Sequence, residues 1–180
     1  MAGMRLGATI AEIAETKAGI IKPGAIVVSS AQTPAAREVL EQRSSIATRL
    51  VWLGEDFSVE SQGKNRGVQT FAVSGLAGNY SSLGLRLFGE FQISNAAVAV
   101  AAVEAFLGGG EHPINHDLLQ IALLEADSPG RMQLVAGEPD ILLDAAHNPS
   151  GVQTLVSSLE SDFADRFRVA VISILADKDA

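Results

Sequence analysis

Apolar positions along this chain change their period from segment to segment, and the changes mark out its elements. Between residues 8 and 17, Ile10, Ile13 and Ala14 recur at helical spacing, and the run stops at Gly19 with Pro23 beyond it. Ala25 to Ser29 reads as a β-branched buried strand, and Pro34 to Ser44 as a helix with Ala36, Val39 and Leu40 on one side. Leu50 to Leu53 closes a second strand, so strand, helix and strand predict a parallel crossover. Ser58 to Gly67 is polar and reads as an exposed turn, with shorter antiparallel strands at 68–74 and 83–88. Ala, Val and Phe build a strong helix from Asn95 to Leu107, ended by Gly108-Gly109-Gly110. Another helix begins at Asn115 or His116 and runs to about Ala126. Beyond the turn cluster Asp127-Ser128-Pro129-Gly130, Met132 to Ala136 and Ile141 to Leu143 read as strands, and Pro149 to Asp162 as a helix. Arg168 to Leu175 has the unbroken apolar character of a parallel-sheet interior.

Composition adds limits. A length of 180 residues suits one ordinary domain or pieces of two. An apolar content of 47% and a mean hydropathy of +0.24 fit an α/β protein. The longest apolar run, Ala96 to Val103, is too short to span a bilayer and is followed by Glu104, so no membrane partner is expected. Arg5, Glu12, Glu15 and Lys17 stand where a secretory signal needs an apolar stretch, and there is no cysteine, which points to the cytoplasm. With 13 basic and 21 acidic residues the formal charge is −8, and no basic cluster is interleaved with aromatics. Nucleic acid is therefore not an expected partner.

The densest chemistry lies in Leu143-Asp144-Ala145-Ala146-His147-Asn148-Pro149-Ser150-Gly151. Residues 139 to 144 read as a short buried strand, with Asn148 as the cap and Pro149 as the first position of the following helix. Asp144 and His147 then sit at a strand's carboxyl end, where open α/β sheets hold ligands, although an Asp and a His in a loop also serve as surface or capping groups. Other marked segments are LGATIAEIAETKAGIIKPG from Leu6 to Gly24, LFGEFQISNAA from Leu87 to Ala97, Ser128-Pro129-Gly130-Arg131, and Ile174-Leu175-Ala176-Asp177-Lys178-Asp179.

In this combination and order the segments resemble the bifunctional folylpolyglutamate synthase/dihydrofolate synthase family of the Mur ligase superfamily. The resemblance implies an α/β, Mur-ligase-like fold. Residues 1–127 would form the later portion of a P-loop-type ATPase domain, and 128–180 the first portion of a Rossmann-like carboxyl domain. It implies an ATP-dependent amide ligase that joins L-glutamate to dihydropteroate or folate, with ATP and Mg²⁺ as cofactors, small-molecule partners and a monomeric state.

Site residues follow the same resemblance. Lys17 would be the carbamylated lysine that offers Mg²⁺ anionic oxygens; on the residues alone it reads instead as a cation at a helix carboxyl end. Asn95 would meet the adenine with an amide that both donates and accepts. Arg131 would reach the phosphates with its planar fork, while Asp144 and His147 would contact ribose and nearby phosphate. The family pattern is incomplete: Thr16 replaces a Glu, Met1-Ala2 stands where an Asp-His pair is usual, and Phe91 replaces a His. No glycine-rich phosphate loop of the family's form occurs in the chain. The expectation is an interior segment of such a ligase, inactive by itself. The alternatives are a cell-wall amino acid ligase of the Mur type and a non-catalytic adenine-nucleotide-binding fragment. His112 and His116 match no motif and read as loop or cap residues.

Overall fold

The computed structural model describes residue 7 and residues 9–173. Expectations resting on Met1, Ala2, Leu6 and residues 174–179 lie outside the described residues. The chain divides into two compact units that interleave in sequence. One comprises Met1–Glu60, Ala72–Ser81 and Asn95–Asn115; the other comprises Ser61–Phe71, Ser82–Ser94 and His116–Ala180.

In the first unit, helix α1 (Ile10–Ala18) is opened by a reciprocal cap. The Glu12 amide donates to Thr9 Oγ1 and the Thr9 amide to Glu12 Oε2, both at 3.2 Å, which satisfies two of the four amides that a helix start leaves unpaired. Strand β1 (Ile26–Ser29), helix α2 (Pro34–Arg43) and strand β2 (Arg49–Trp52) form the expected parallel crossover, with Val28 opposite Val51. Proline at the first turn of α2 gives up an amide that had no intrahelical partner. Arg37 on α2 pairs with Glu41 and Glu55 and lies 4.6 Å from the Trp52 ring centre.

Strands β3 (Ser58–Asn65), β4 (Val68–Ser74) and β5 (Asn79–Leu85) form a sheet in that order. The expected polar turn at 58–67 is instead mostly strand, with only Arg66 and Gly67 between β3 and β4, both at positive φ (49° and 79°). Two such residues make a tight hairpin turn whose twist matches antiparallel strands. A strand exposed nearly along its length needs no apolar alternation, and for that reason the residue pattern hid it. β5 also begins and ends earlier than the expected 83–88.

Helix α3 (Phe91–Gly108) starts four residues before the expected Asn95, so Asn95 lies within the helix and does not cap it. By length and composition α3 is apolar enough to cross a membrane. Its one charged residue, Glu104, is nevertheless wholly buried in the first unit. The Glu104 carboxylate accepts from the Leu76 amide (2.6 Å), the Gly78 amide (2.9 Å) and the Tyr80 hydroxyl (2.6 Å). Tyr80 Oη in turn accepts from the Ile114 amide at 2.8 Å. A buried carboxylate is tolerable when donors replace its water, and three do so here. A side chain on Gly75 would collide with this carboxylate, so the turn must carry glycine there.

In the second unit, helix α4 (His116–Leu124) buries Leu119 and Leu123. Strands β6 (Gln133–Val135) and β7 (Ile141–Leu143) pair antiparallel, and helix α5 (Pro149–Asp162) follows. Two expectations fail here. The strand at 139–144 is not buried: Ile141 is 53% and Leu143 46% exposed. Residues 168–173 form no strand, and Val169 and Val171 stand in solvent. A parallel interior strand needs neighbours on both edges, and no described strand flanks this run.

Candidate functional site

The turn after β7 is built by its own polar groups. Asn148 caps α5, its Oδ1 accepting from the Gly151 amide at 2.8 Å, and Pro149 occupies the first helical position, as the residues predict. Half-buried Asp144 follows β7 directly and uses both carboxylate oxygens: Oδ1 accepts from the Ala146 amide at 2.7 Å, Oδ2 from the Met132 amide at 2.9 Å. The Ala145 amide donates to the Gly130 carbonyl at 2.8 Å. Segment 130–132 is thereby sewn to segment 144–146.

Arg131 lies between the two stitches, and its side chain is exposed. Its neighbours both adopt left-handed backbone: Gly130 at φ 69° and Met132 at φ 48°. For Met132 that conformation costs on the order of 1–3 kcal/mol and persists only where the surroundings enforce it. Burial of the Met132 side chain and the Asp144 bond to its amide are that enforcement. His147 Nδ1 donates to the Ala145 carbonyl at 2.9 Å, because a carbonyl only accepts. In the neutral ring this leaves Nε2 as an acceptor, on an exposed side chain.

Of the residues singled out in the sequence, Arg131, Asp144 and His147 therefore come together on two hydrogen-bonded stretches of backbone. Asn95 and Lys17 fall in the other unit. Asn95 lies in the second turn of α3 with an exposed side chain, and Lys17 is exposed in the last turn of α1, where its charge complements the helix dipole. Among the described residues no three His, Asp or Glu side chains approach closely enough to hold a metal ion.

Sequence reasoning missed a second polar cluster, around the loop before α3. Buried Gln69 on β4 donates through Nε2 to the carbonyls of Leu87 (2.7 Å) and Gly89 (3.2 Å). Asp162, at the end of α5, accepts the Gly89 amide on Oδ2 (3.0 Å) and pairs through Oδ1 with Lys64 Nζ (2.6 Å). Lys64 also lies 4.9 Å from the Phe88 ring centre, and Phe88 packs on Phe163 at 5.1 Å. One signal was available: strand alternation puts Gln69 on the same face as buried Phe71 and Val73.

No family model matches the chain. It is 39% identical to the dihydrofolate synthase/folylpolyglutamate synthase of Mycobacterium tuberculosis and 34% identical to the folylpolyglutamate synthase of Lacticaseibacillus casei, over 97% of its length in both cases. It spans 37% and 41% of those two proteins. Among solved structures, a folylpolyglutamate synthase complex with AMPPCP and folate superposes with a TM-score of 0.82 at 29% identity, over 92% of this chain and 40% of that one.

Proposed function

The chain is homologous to the dihydrofolate synthase/folylpolyglutamate synthases along 97% of its length and shares their Mur-ligase-like fold, and from that premise we propose its function. It carries part of an ATP-dependent amide ligase that joins L-glutamate to a folate or to dihydropteroate. The γ-phosphoryl group passes from ATP to a substrate carboxylate oxygen and ADP departs. The glutamate nitrogen then attacks the acyl carbon, loses a proton, and inorganic phosphate leaves. Mg²⁺ bound with ATP would offset the charge of the phosphates. Of the chain's own residues, Asn95, Arg131, Asp144 and His147 are proposed for the nucleotide, and Lys17, once carbamylated, for the metal.

In this reading Arg131 donates to phosphate oxygens, which its fork of N–H groups suits. His147, with Nδ1–H committed to Ala145, accepts a ribose hydroxyl on Nε2. Asp144 keeps lone pairs for a second hydroxyl while its backbone bonds fix the turn. Asn95 meets the base. Residues 1–127 belong to the ATPase domain and 128–180 to the glutamate-ligating domain. The protein is a cytoplasmic monomer that uses small-molecule substrates and binds neither nucleic acid nor membrane.

The observation that carries the reading is the stitched pair of turns, which brings Arg131 and His147 onto adjoining backbone. Titration calorimetry with AMPPCP tests it. Removing one charge-assisted phosphate hydrogen bond costs about 1.5–3 kcal/mol, so Arg131→Ala should weaken binding about tenfold or more. Unchanged affinity in both Arg131→Ala and His147→Ala would overturn the assignment. The 180-residue polypeptide has no glycine-rich phosphate loop in its sequence, and we expect no glutamylated product from it by mass spectrometry. The 30% identity to the UDP-N-acetylmuramyl-tripeptide synthetase of Latilactobacillus sakei, over 68% of the chain, keeps a muramyl substrate as the alternative. Comparing folate and muramyl substrates on a full-length protein decides between them.

A further inference from the structure

We propose that Gln69 and Asp162 are positioning residues for nucleotide binding: together they clamp the loop that launches α3, and so set where Asn95 is presented. The inference rests on the nucleotide reading above and extends it to residues that touch no substrate.

The loop Leu87–Gly89 is gripped from two sides. Gln69, buried on β4, spends both donors of its amide on the carbonyls of Leu87 and Gly89. Asp162 takes the Gly89 amide on one oxygen and Lys64 on the other, with only 10% of its side chain exposed. Gly89 therefore has its carbonyl and its amide both held by side chains distant in sequence. The position must be glycine: Gly89 sits at φ 88°, and a side chain there would strike the Phe91 ring and Ser158 Oγ. Two residues later α3 begins, and the Gln92 amide donates to the Gly89 carbonyl at 3.1 Å. Asn95 is one turn further along the same helix, so a displacement of Gly89 is carried to it through the backbone.

Asp162 gives the clamp its second consequence. It is the last residue of α5, whose first residue, Pro149, lies two positions after His147. A 14-residue helix is a rod of roughly 20 Å at 1.5 Å per residue. One end of that rod carries the His147 turn and the other holds the Gly89 loop.

The test uses the purified chain with AMPPCP. Variants Asp162→Asn, Gln69→Glu and Lys64→Arg are compared with wild type by calorimetry, thermal unfolding and amide hydrogen exchange. Gln69→Glu turns both donors into acceptors facing carbonyls; Asp162→Asn keeps the shape, removes the charge and is the milder change should Gln69→Glu fail to fold. Faster exchange confined to residues 89–95 and about tenfold weaker AMPPCP binding, at temperatures well below unfolding, are expected for the first two. Lys64→Arg, which retains the ion pair, should leave affinity within about twofold. If Asn95→Ala weakens binding while Asp162→Asn and Gln69→Glu leave it unchanged, the positioning role is overturned and the nucleotide reading stands. If wild type binds no AMPPCP, or Asn95→Ala is without effect, the nucleotide reading fails, and the positioning role with it. Unaltered exchange at 89–95 in both clamp variants overturns the clamp itself.

Discussion

The surroundings of Glu104 and the stretch from β6 to residue 173 reverse the usual relation between residue type and burial. In the first, a carboxylate is wholly enclosed in an apolar helix. In the second, Ile141, Leu143, Val169, Val171 and Ile172 are each close to half exposed or more. The difference teaches that burial follows the supply of partners. Glu104 has three donors waiting in the Gly75–Tyr80 segment, and the energetic cost of removing its water is met bond for bond. The apolar positions beyond residue 133 have two short antiparallel strands and one helix for company, and no described strand lies beside 168–173.

Removing the carboxylate is the sharpest way to break this comparison. Glu104→Ala leaves two amides and a hydroxyl without a partner, and loss of one side of such a buried network costs about 3–5 kcal/mol. The urea midpoint should fall accordingly with little change in slope. A loss below about 1 kcal/mol would mean that water replaces the carboxylate there.

The same network predicts an alkaline transition. Burial of Tyr80, and next its hydrogen bond to Glu104, push the phenol up to about 12, against a smaller opposing effect from the Ile114 amide. An unfolded tyrosine ionises near pH ~10. The folded state therefore holds its proton more tightly, and the stability this provides is complete below about pH 10 and lost as pH rises through about 12. On the order of 2 kcal/mol is involved. Stability measured from pH 9 to 12 should drop in wild type and drop less in Tyr80→Phe.

Hydrogen exchange sharpens the contrast without mutation. Amides at 131–173 should open at least about tenfold more readily than those of α3 between 97 and 105, since few of the former are covered by buried side chains. Equal and high protection in both would show that the carboxyl stretch folds as firmly as the Glu104 region. The smallest effect belongs to Val171, which is 97% exposed. Val171→Thr should change stability by less than about 0.5 kcal/mol, whereas Val100→Ala, at a buried position of α3, should cost clearly more.

What the residues disclose in advance is mostly local. The stop of α1 at Gly19, Pro34 at the start of α2, and the Asn148-Pro149 cap all act through neighbours within a few positions, and each appears where expected. The β1-α2-β2 unit was legible because a parallel crossover needs a helix of that length. β3 was not, since an exposed strand carries no hydrophobic signature. The early start of α3 was hidden because Phe91-Gln92-Ile93-Ser94 reads equally as loop. In the candidate site, the Asp144 and His147 turn could be placed from the sequence, but the stitch from Asp144 to Met132 joins residues twelve apart. The grip of Asp162 on Gly89 joins residues 73 apart, and no local pattern encodes it. Glu104 could have been flagged as the one charge in eighteen otherwise uncharged helical residues.

The hairpin turn at Arg66 and Gly67 offers a practical handle. Both residues are exposed, and a side chain on Gly67 would meet open space, although its positive φ favours keeping glycine at the position itself. Exposed polar loop tips of this kind accept inserted sequence. A short peptide carrying a fluorophore, spliced between these two residues, would begin three positions from Lys64. Its emission would then follow the Lys64–Asp162 pair in real time, which turns an exposed corner of the β3–β4 hairpin into an optical gauge of how the end of α5 is seated.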